Sequence, residues 1–188
     1  MITQQQILNA NILIIDDEPA NVMVLEETLK QRGYTSLKCI TDPREALESY
    51  KALEPDLVLL DLNMPHLNGF QVIEQIKEAD PKSNVPIMIL TAQIDQGTRL
   101  RGLDAGARDF LTKPFDILEV SLRIQNMLEI SLLYSQSRDF SKSLDGKYEN
   151  AILELAATKL KLQQEISRRE ELEEQLKCSS MNMGKVDE

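Results

Sequence analysis

Short apolar runs alternate with amphipathic stretches over residues 12–116, and this pattern predicts strands separated by helices. Apolar side chains recur at helical spacing between the runs, and Pro19 and Pro43 stand where two of these helices would begin. The five runs that predict strands are Ile12–Ile15, Leu37–Ile40, Leu57–Leu60, Ile87–Leu90 and Asp109–Leu111. The first, third and fourth are continuously apolar, which is typical of strands buried on both faces.

Strands that alternate with helices indicate an α/β fold, because each parallel crossover needs a connecting helix. We therefore expect a five-stranded, doubly wound parallel sheet with helices on both faces. Ligands of such sheets bind outside the carboxyl ends of the strands. The sequence thus predicts where a functional site lies before it indicates the chemistry of that site.

Polar residues follow four of the predicted strands and should meet at that edge. They are Asp16 and Asp17, Asp61, Thr91 and Lys113. Carboxylates about 4 Å apart repel by about 4 kcal/mol per pair at an effective dielectric constant near 20, so the cluster requires a cation. Oxygen ligands of this kind suit Mg²⁺. Carboxylate, divalent metal, ammonium and hydroxyl together predict phosphoryl transfer to an aspartate.

The amino-acid composition argues against nucleic acids and membranes as partners. The chain has 188 residues with 21 Lys and Arg against 31 Asp and Glu, a net charge of −10. Such a surface repels phosphate backbones and anionic lipids, so we expect no nucleic acid and no membrane as partners. The two cysteines, Cys39 and Cys178, form no metal-binding spacing, and no apolar run is long enough to span a bilayer. We expect a cytoplasmic protein.

The pattern changes beyond residue 116 into a long helical tail. Serines and Gly146 weaken helix propensity in residues 133–147, which we interpret as a hinge or a continuing helix. Residues 148–178 carry a heptad pattern, and residues 179–188 have no period and are expected to be disordered. The apolar heptad positions are Tyr148, Ile152, Leu155, Leu162, Ile166 and Leu176, and Lys159, Arg169 and Glu173 interrupt them.

Three interpretations of this tail stay open. Its apolar stripe packs back on the first domain, or it forms a parallel coiled-coil homodimer through residues 148–178, or it links to an output domain outside the chain. We favour the homodimer, in which charged positions of the heptad pattern limit stability and set the register. The residues after Phe140 show no strand or helix-turn-helix pattern, so we expect no DNA-binding or cyclase domain among them.

Four segments together resemble the receiver domain of bacterial two-component response regulators. They are IIDDEPAN (Ile14–Asn21), DLVLLDLNMPHLNGF (Asp56–Phe70), PIMILTA (Pro86–Ala92) and GARDFLTKPF (Gly106–Phe115). The four occur in order at compatible spacing, and the resemblance covers a domain over residues 10–132. It implies a flavodoxin-like sheet with the strand order 2-1-3-4-5.

The resemblance also implies a role for each polar residue. Asp61 would be the phosphoacceptor, Thr91 and Lys113 would contact the phosphoryl group, and Thr91 and Phe110 would form a switch pair. Lys113–Pro114 would be a cis peptide. The implied Mg²⁺ ligands are Asp16, Asp17, Asp61 and the backbone carbonyl of Asn63.

The phosphoryl donor implied by the resemblance is a histidine kinase or a histidine phosphotransfer protein. On this interpretation the chain catalyses only its own phosphorylation and dephosphorylation and is not an enzyme in the usual sense. One alternative is an Asp-nucleophile phosphohydrolase, although Asn63 stands where such enzymes carry a second acid. A second alternative is a structural adaptor with an inert receiver, which the intact set of Asp16, Asp17, Asp61 and Lys113 disfavours.

Overall fold

The sheet has the predicted architecture. The computed structural model describes residues 2–81, 84–92 and 95–183, without the side chains of residues 166, 167 and 170–183. Five parallel strands form one sheet in the order β2-β1-β3-β4-β5, which confirms the expected fold class and strand order. The strands are β1 (Asn11–Ile15), β2 (Ser36–Ile40), β3 (Leu57–Asp61), β4 (Ile87–Thr91) and β5 (Asp109–Thr112).

Helices connect the strands and cover both faces of the sheet. They are α1 (Gln4–Leu8), α2 (Pro19–Gln31), α3 (Ala46–Leu53), α4 (Gly69–Ala79), α5 (Gln96–Ala105) and α6 (Ile117–Met183), with a 3₁₀ turn at Pro43–Glu45. Pro19 opens α2 as expected, and Asp42 caps the 3₁₀ turn by accepting the Arg44 N–H.

The sheet is buried on both faces, which explains the continuous apolar runs. Alternate residues of each central strand belong to two separate clusters. One contains Leu13, Ile15, Val58, Leu60 and Ile89 with Val72, Ile73 and Ile76 of α4. The other contains Ile12, Ile14, Leu57, Leu59 and Leu90 with Leu25 and Leu29 of α2 and Val120, Ile124 and Leu128 of α6. No strand face is left for solvent at the centre, so a two-residue polar period never develops.

Helix α1 is absent from the pattern-based prediction. The Thr3 hydroxyl accepts the Gln6 N–H while the Gln6 side chain accepts the Thr3 N–H, a reciprocal capping box. Ile7 is buried against the second cluster. The signal was present as Thr3-x-x-Gln6, but a five-residue helix is too short to show a hydrophobic period.

The chain divides into two compact units between residues 137 and 138, and helix α6 contributes residues to both units. Residues 133–147 are helical throughout, so they form a continuing helix rather than a break in it. Helix α6 extends to Met183, residues 184–188 lie outside the described residues, and the expected disorder of residues 179–188 stays a prediction. Each serine, and Gly146, lowers the stability of a helix by about 1 kcal/mol at most, and a long helix tolerates this cost because helix formation is cooperative.

No helix in the described part of the chain is long and apolar enough to cross a bilayer.

Gly69 is required by packing at the start of α4. A Cβ there would collide with the Asp61 carbonyl oxygen and lie 3.0 Å from Leu62 Cα. Because these are backbone atoms, Gly69→Ala should lower the free energy of unfolding by about 1–3 kcal/mol in urea titrations. Gly97→Ala is the matched control in α5, because its Cβ would approach only the Asp95 carboxylate, at 3.1 Å. Equal stability of the two variants would contradict the prediction.

Candidate functional site

The polar residues predicted at strand ends lie at one edge of the sheet. Asp16 follows β1 directly, Asp61 and Thr91 are the last residues of β3 and β4, and Lys113 follows β5. All five strands are parallel, and their carboxyl ends are aligned with one another by the sheet register. These four positions therefore lie at the same crevice.

Lys113 joins two of the carboxylates. Its Nζ lies 2.6 Å from Asp16 Oδ2 and 3.0 Å from Asp61 Oδ2. Asp16 is fully buried and Asp61 is 6% exposed, so little solvent screens these ion pairs. Burial by itself lowers the pKa of Lys113, but the hydrogen bonds to Asp16 and Asp61 outweigh it and raise that pKa above its usual value. The ammonium is therefore charged at neutral pH.

The second oxygen of each carboxylate is held by the neighbouring chain. Asp16 Oδ1 accepts the Glu18 N–H at 3.1 Å and the Asn21 side-chain amide at 3.0 Å. Asp61 Oδ1 accepts the Leu62 N–H at 2.7 Å. Sequence reasoning missed Asn21, although it lies inside the IIDDEPAN segment and in the first turn of α2, where an amide can reach back across the turn.

Asp17 completes a cluster of three carboxylates. Asp16, Asp17 and Asp61 each offer an oxygen, and these atoms lie within 4.8 Å of one another. Burial raises the pKa of Asp17, and the charges of Asp61 and Asp16 add to the rise, while its own backbone N–H and Lys113 oppose it.

The donor set fits Mg²⁺. The oxygens are hard ligands, and a divalent ion would neutralise the charge that Lys113 alone leaves unbalanced. The Asn63 carbonyl as a further ligand stays a prediction.

Thr91 and Phe110 lie on the neighbouring strands β4 and β5, offset by two residues along the sheet. Phe110 is paired with Ile89 in the sheet, and Thr91 is two residues beyond Ile89 on the same face. Thr91 is 1% exposed and Phe110 8%, so the aromatic ring is turned inward. Motion of this pair stays a prediction. The Lys113–Pro114 bond is cis, and the Lys113 N–H donates to the Thr91 carbonyl at 2.8 Å.

Residues 12–125 match the family described as response regulator receiver domain. This chain belongs to that family. The receiver match extends over more than half of the chain and contains every site residue described above.

Related proteins are similar over the same region. PhoP of Bacillus subtilis, an alkaline phosphatase synthesis transcriptional regulatory protein, is 35% identical over 132 residues, 70% of this chain and 54% of PhoP. The response regulator PleD of Caulobacter vibrioides is 34% identical over 131 residues, 70% of this chain and 29% of PleD. The chemotaxis protein CheY of Thermotoga maritima is 37% identical over 57% of this chain and 88% of CheY. The chain thus spans about half or less of the two longer regulators.

Solved receiver structures superpose on the same domain. CheY4 of Vibrio cholerae gives a TM-score of 0.60 at 27% identity, over 63% of this chain and 98% of that one. The receiver domain of the sensor histidine kinase PA1611 from Pseudomonas aeruginosa gives 0.59 at 32% identity, over 64% and 98%. That structure is described with a magnesium ion coordinated in its active-site cleft.

The raised pKa of Asp17 has a consequence for stability. A carboxyl whose folded pKa is raised favours the fold below its ordinary pKa near 4, and this contribution is lost as pH rises through the folded value. The ionised Asp17 carboxylate therefore lowers the stability of the fold at neutral pH. Asp17→Asn should raise the Tm at pH 7 in chelator, and the gain should shrink as pH falls through the raised folded pKa of Asp17 and be absent below about pH 4.

Mg²⁺ should raise the Tm of the wild type and leave Asp17→Asn nearly unchanged, because a ligand that binds only the folded state stabilises it. Thermal unfolding followed by circular dichroism, with EDTA and with MgCl₂, measures both effects. Asp104→Asn removes an exposed carboxylate of α5 and should show neither. A lower Tm for Asp17→Asn in chelator would show that the ionised Asp17 carboxylate stabilises the fold, contrary to the prediction.

Proposed function

We propose that the chain is a phosphorylation-activated response regulator whose Asp61 accepts a phosphoryl group from a histidine kinase or a histidine phosphotransfer protein. The observation that carries the proposal is the Lys113 ammonium held between Asp16 and Asp61 beside three clustered carboxylates. A structural ion pair would need one carboxylate, and the excess negative charge is explained by a site built for a divalent ion.

The chemistry follows from the residues at the site. A carboxylate oxygen of Asp61 attacks the phosphorus of a phosphohistidine, a P–O bond forms, and the P–N bond breaks with its electron pair returning to the imidazole. The Lys113 ammonium neutralises charge on the transferred oxygens, and the Thr91 hydroxyl donates to one of them. Asp16, Asp17 and Asp61 would hold Mg²⁺, which supplies further neutralisation of those oxygens.

Turnover is limited, on this proposal, to the chain's own aspartyl phosphate. An Asp-nucleophile phosphohydrolase needs a second acid to protonate its leaving group. Two residues after Asp61 the chain has Asn63, which is exposed and has no acidic proton to supply. This supports a regulator over a hydrolase that acts on small phosphoesters.

We further propose that the tail forms a homodimer through residues 148–178. The described apolar heptad positions are exposed to solvent, at 64% for Tyr148, 64% for Ile152, 72% for Leu155 and 61% for Leu162. A second copy would bury these side chains in a shared core. The side chains of Ile166 and Leu176 lie outside those described.

A regulator with a further output domain is the second candidate. It is favoured by the coverage of the relatives, since this chain matches only 29% of PleD and 54% of PhoP. In that case α6 would link the receiver to the output domain, and its exposed apolar stripe would pack in that longer protein.

Asp61→Asn tests the phosphoacceptor. Incubation with a small phosphodonor such as acetyl phosphate and Mg²⁺ should add one phosphoryl group to the wild type and none to the variant, as read by intact mass. Treatment with hydroxylamine should remove it, because an acyl phosphate is labile to this nucleophile. Asp104→Asn, at an exposed position of α5, should be phosphorylated like the wild type. Phosphorylation retained in Asp61→Asn would refute the assignment.

The tail proposal is tested by light scattering behind a sizing column. Leu155→Glu with Leu162→Glu places two charges on the heptad positions and should convert a dimer to a monomer. Leu153→Glu with Leu160→Glu makes the same changes at equally exposed positions outside the heptad pattern, at 67% and 58%, and should leave the mass unchanged.

Beryllofluoride with Mg²⁺ asks whether the receiver controls this assembly. A change in mass indicates control by the receiver, and a dimer in both states indicates a permanent coiled coil. A wild-type monomer under both conditions would contradict the homodimer and favour the linker.

A further inference from the structure

Gly102 is buried in the interior of α5, where glycine is unfavourable. Glycine inside a helix is less stable than alanine because it loses more backbone freedom on folding. A glycine kept in such a place therefore calls for a packing reason.

The reason is the ring of Phe110. A Cβ on Gly102 would lie 2.5 Å from Phe110 Cζ, 2.6 Å from Phe110 Cε1 and 3.1 Å from Ile89 Cδ1. The first two distances are too short for any real contact, so the inward position of the ring occupies the volume that a side chain at 102 would fill. The atoms in the way are the far end of an aromatic side chain, which can leave by rotating about χ1.

We propose that Gly102 is a positioning residue that holds Phe110 in its inward place. With glycine at this position the ring lies inside the first core cluster, where Phe110 is 8% exposed. With any larger residue there, the ring would be displaced outward and the space beside Ile89 would be left partly empty.

Ring position matters for the phosphoryl site because of the sheet register. Phe110 is paired with Ile89, and Thr91 follows on the same face of β4 at the edge that carries Asp61. A Thr91 side chain that moves towards a phosphoryl group is supported from behind when the ring is inward. This consequence rests on the proposed function, whereas the ring position itself does not.

The ring position is measured in the full chain without ligand. Phe residues carrying ¹³C in the ring are observed by NMR with a soluble paramagnetic agent, and Phe140, 70% exposed, is the solvent reference. The Phe110 signal should be protected in the wild type. In Gly102→Ala it should broaden towards the Phe140 value.

The coupling to the site is measured as affinity for beryllofluoride with Mg²⁺. Gly102→Ala should weaken binding about tenfold, since the ring must be forced back against the new methyl group. In a Phe110→Leu background, which removes the colliding ring atoms, Gly102→Ala should have almost no further effect. Gly97→Ala, on the same helix with only the Asp95 carboxylate near, should match the wild type.

The outcomes separate the two proposals. A Phe110 ring that stays protected in Gly102→Ala overturns the inference, and so does an equal loss of affinity with and without Phe110. If Gly102→Ala fails to fold, restored folding with Phe110→Leu supports the inference and continued failure overturns it. A wild type that binds no beryllofluoride refutes the proposed function, while the NMR result still decides the role of Gly102.

Discussion

The Lys113 ammonium holds two buried carboxylates at the carboxyl edge of the sheet, and the architecture around it serves that contact. Asp16 is fully buried and follows β1, an interior strand between β2 and β3, and Asp61 ends the adjacent β3. Uncompensated charges there would cost several kcal/mol each. Lys113, the residue after β5, reaches across the edge of the sheet and supplies one compensating positive charge to Asp16 and Asp61.

Stability and function conflict at this edge. Asp17 adds a third negative charge beside a single ammonium, and its raised pKa records the cost of ionising it there. Apolar burial on both faces of the sheet supplies the stability that offsets this cost, through strands such as β3 in which every residue is buried. A divalent ion that bound only the folded state would recover part of this cost.

The buried strands were predicted from the sequence more accurately than the helices at the two ends of the chain. The strands β1, β3 and β4 were predicted to within one residue because burial on both faces leaves an unbroken apolar run. A polar residue ends or directly follows each of these strands, so Asp16, Asp61 and Thr91 could be predicted to lie at one edge of the sheet. Helix α1 was missed because five residues show no period. Residues 133–147 were left open as a hinge or a helix because serines and Gly146 lower helix propensity without forbidding a helix.

Local periodicity and residue type were enough to predict the alternation of strands and helices, the edge that carries the site and the chemistry available there. They could not predict that Asn21 holds one oxygen of Asp16 or that the ring of Phe110 fills the space left by Gly102. Such contacts join residues on different elements. Their distances depend on how helices pack against the sheet, which no pattern along one chain segment encodes.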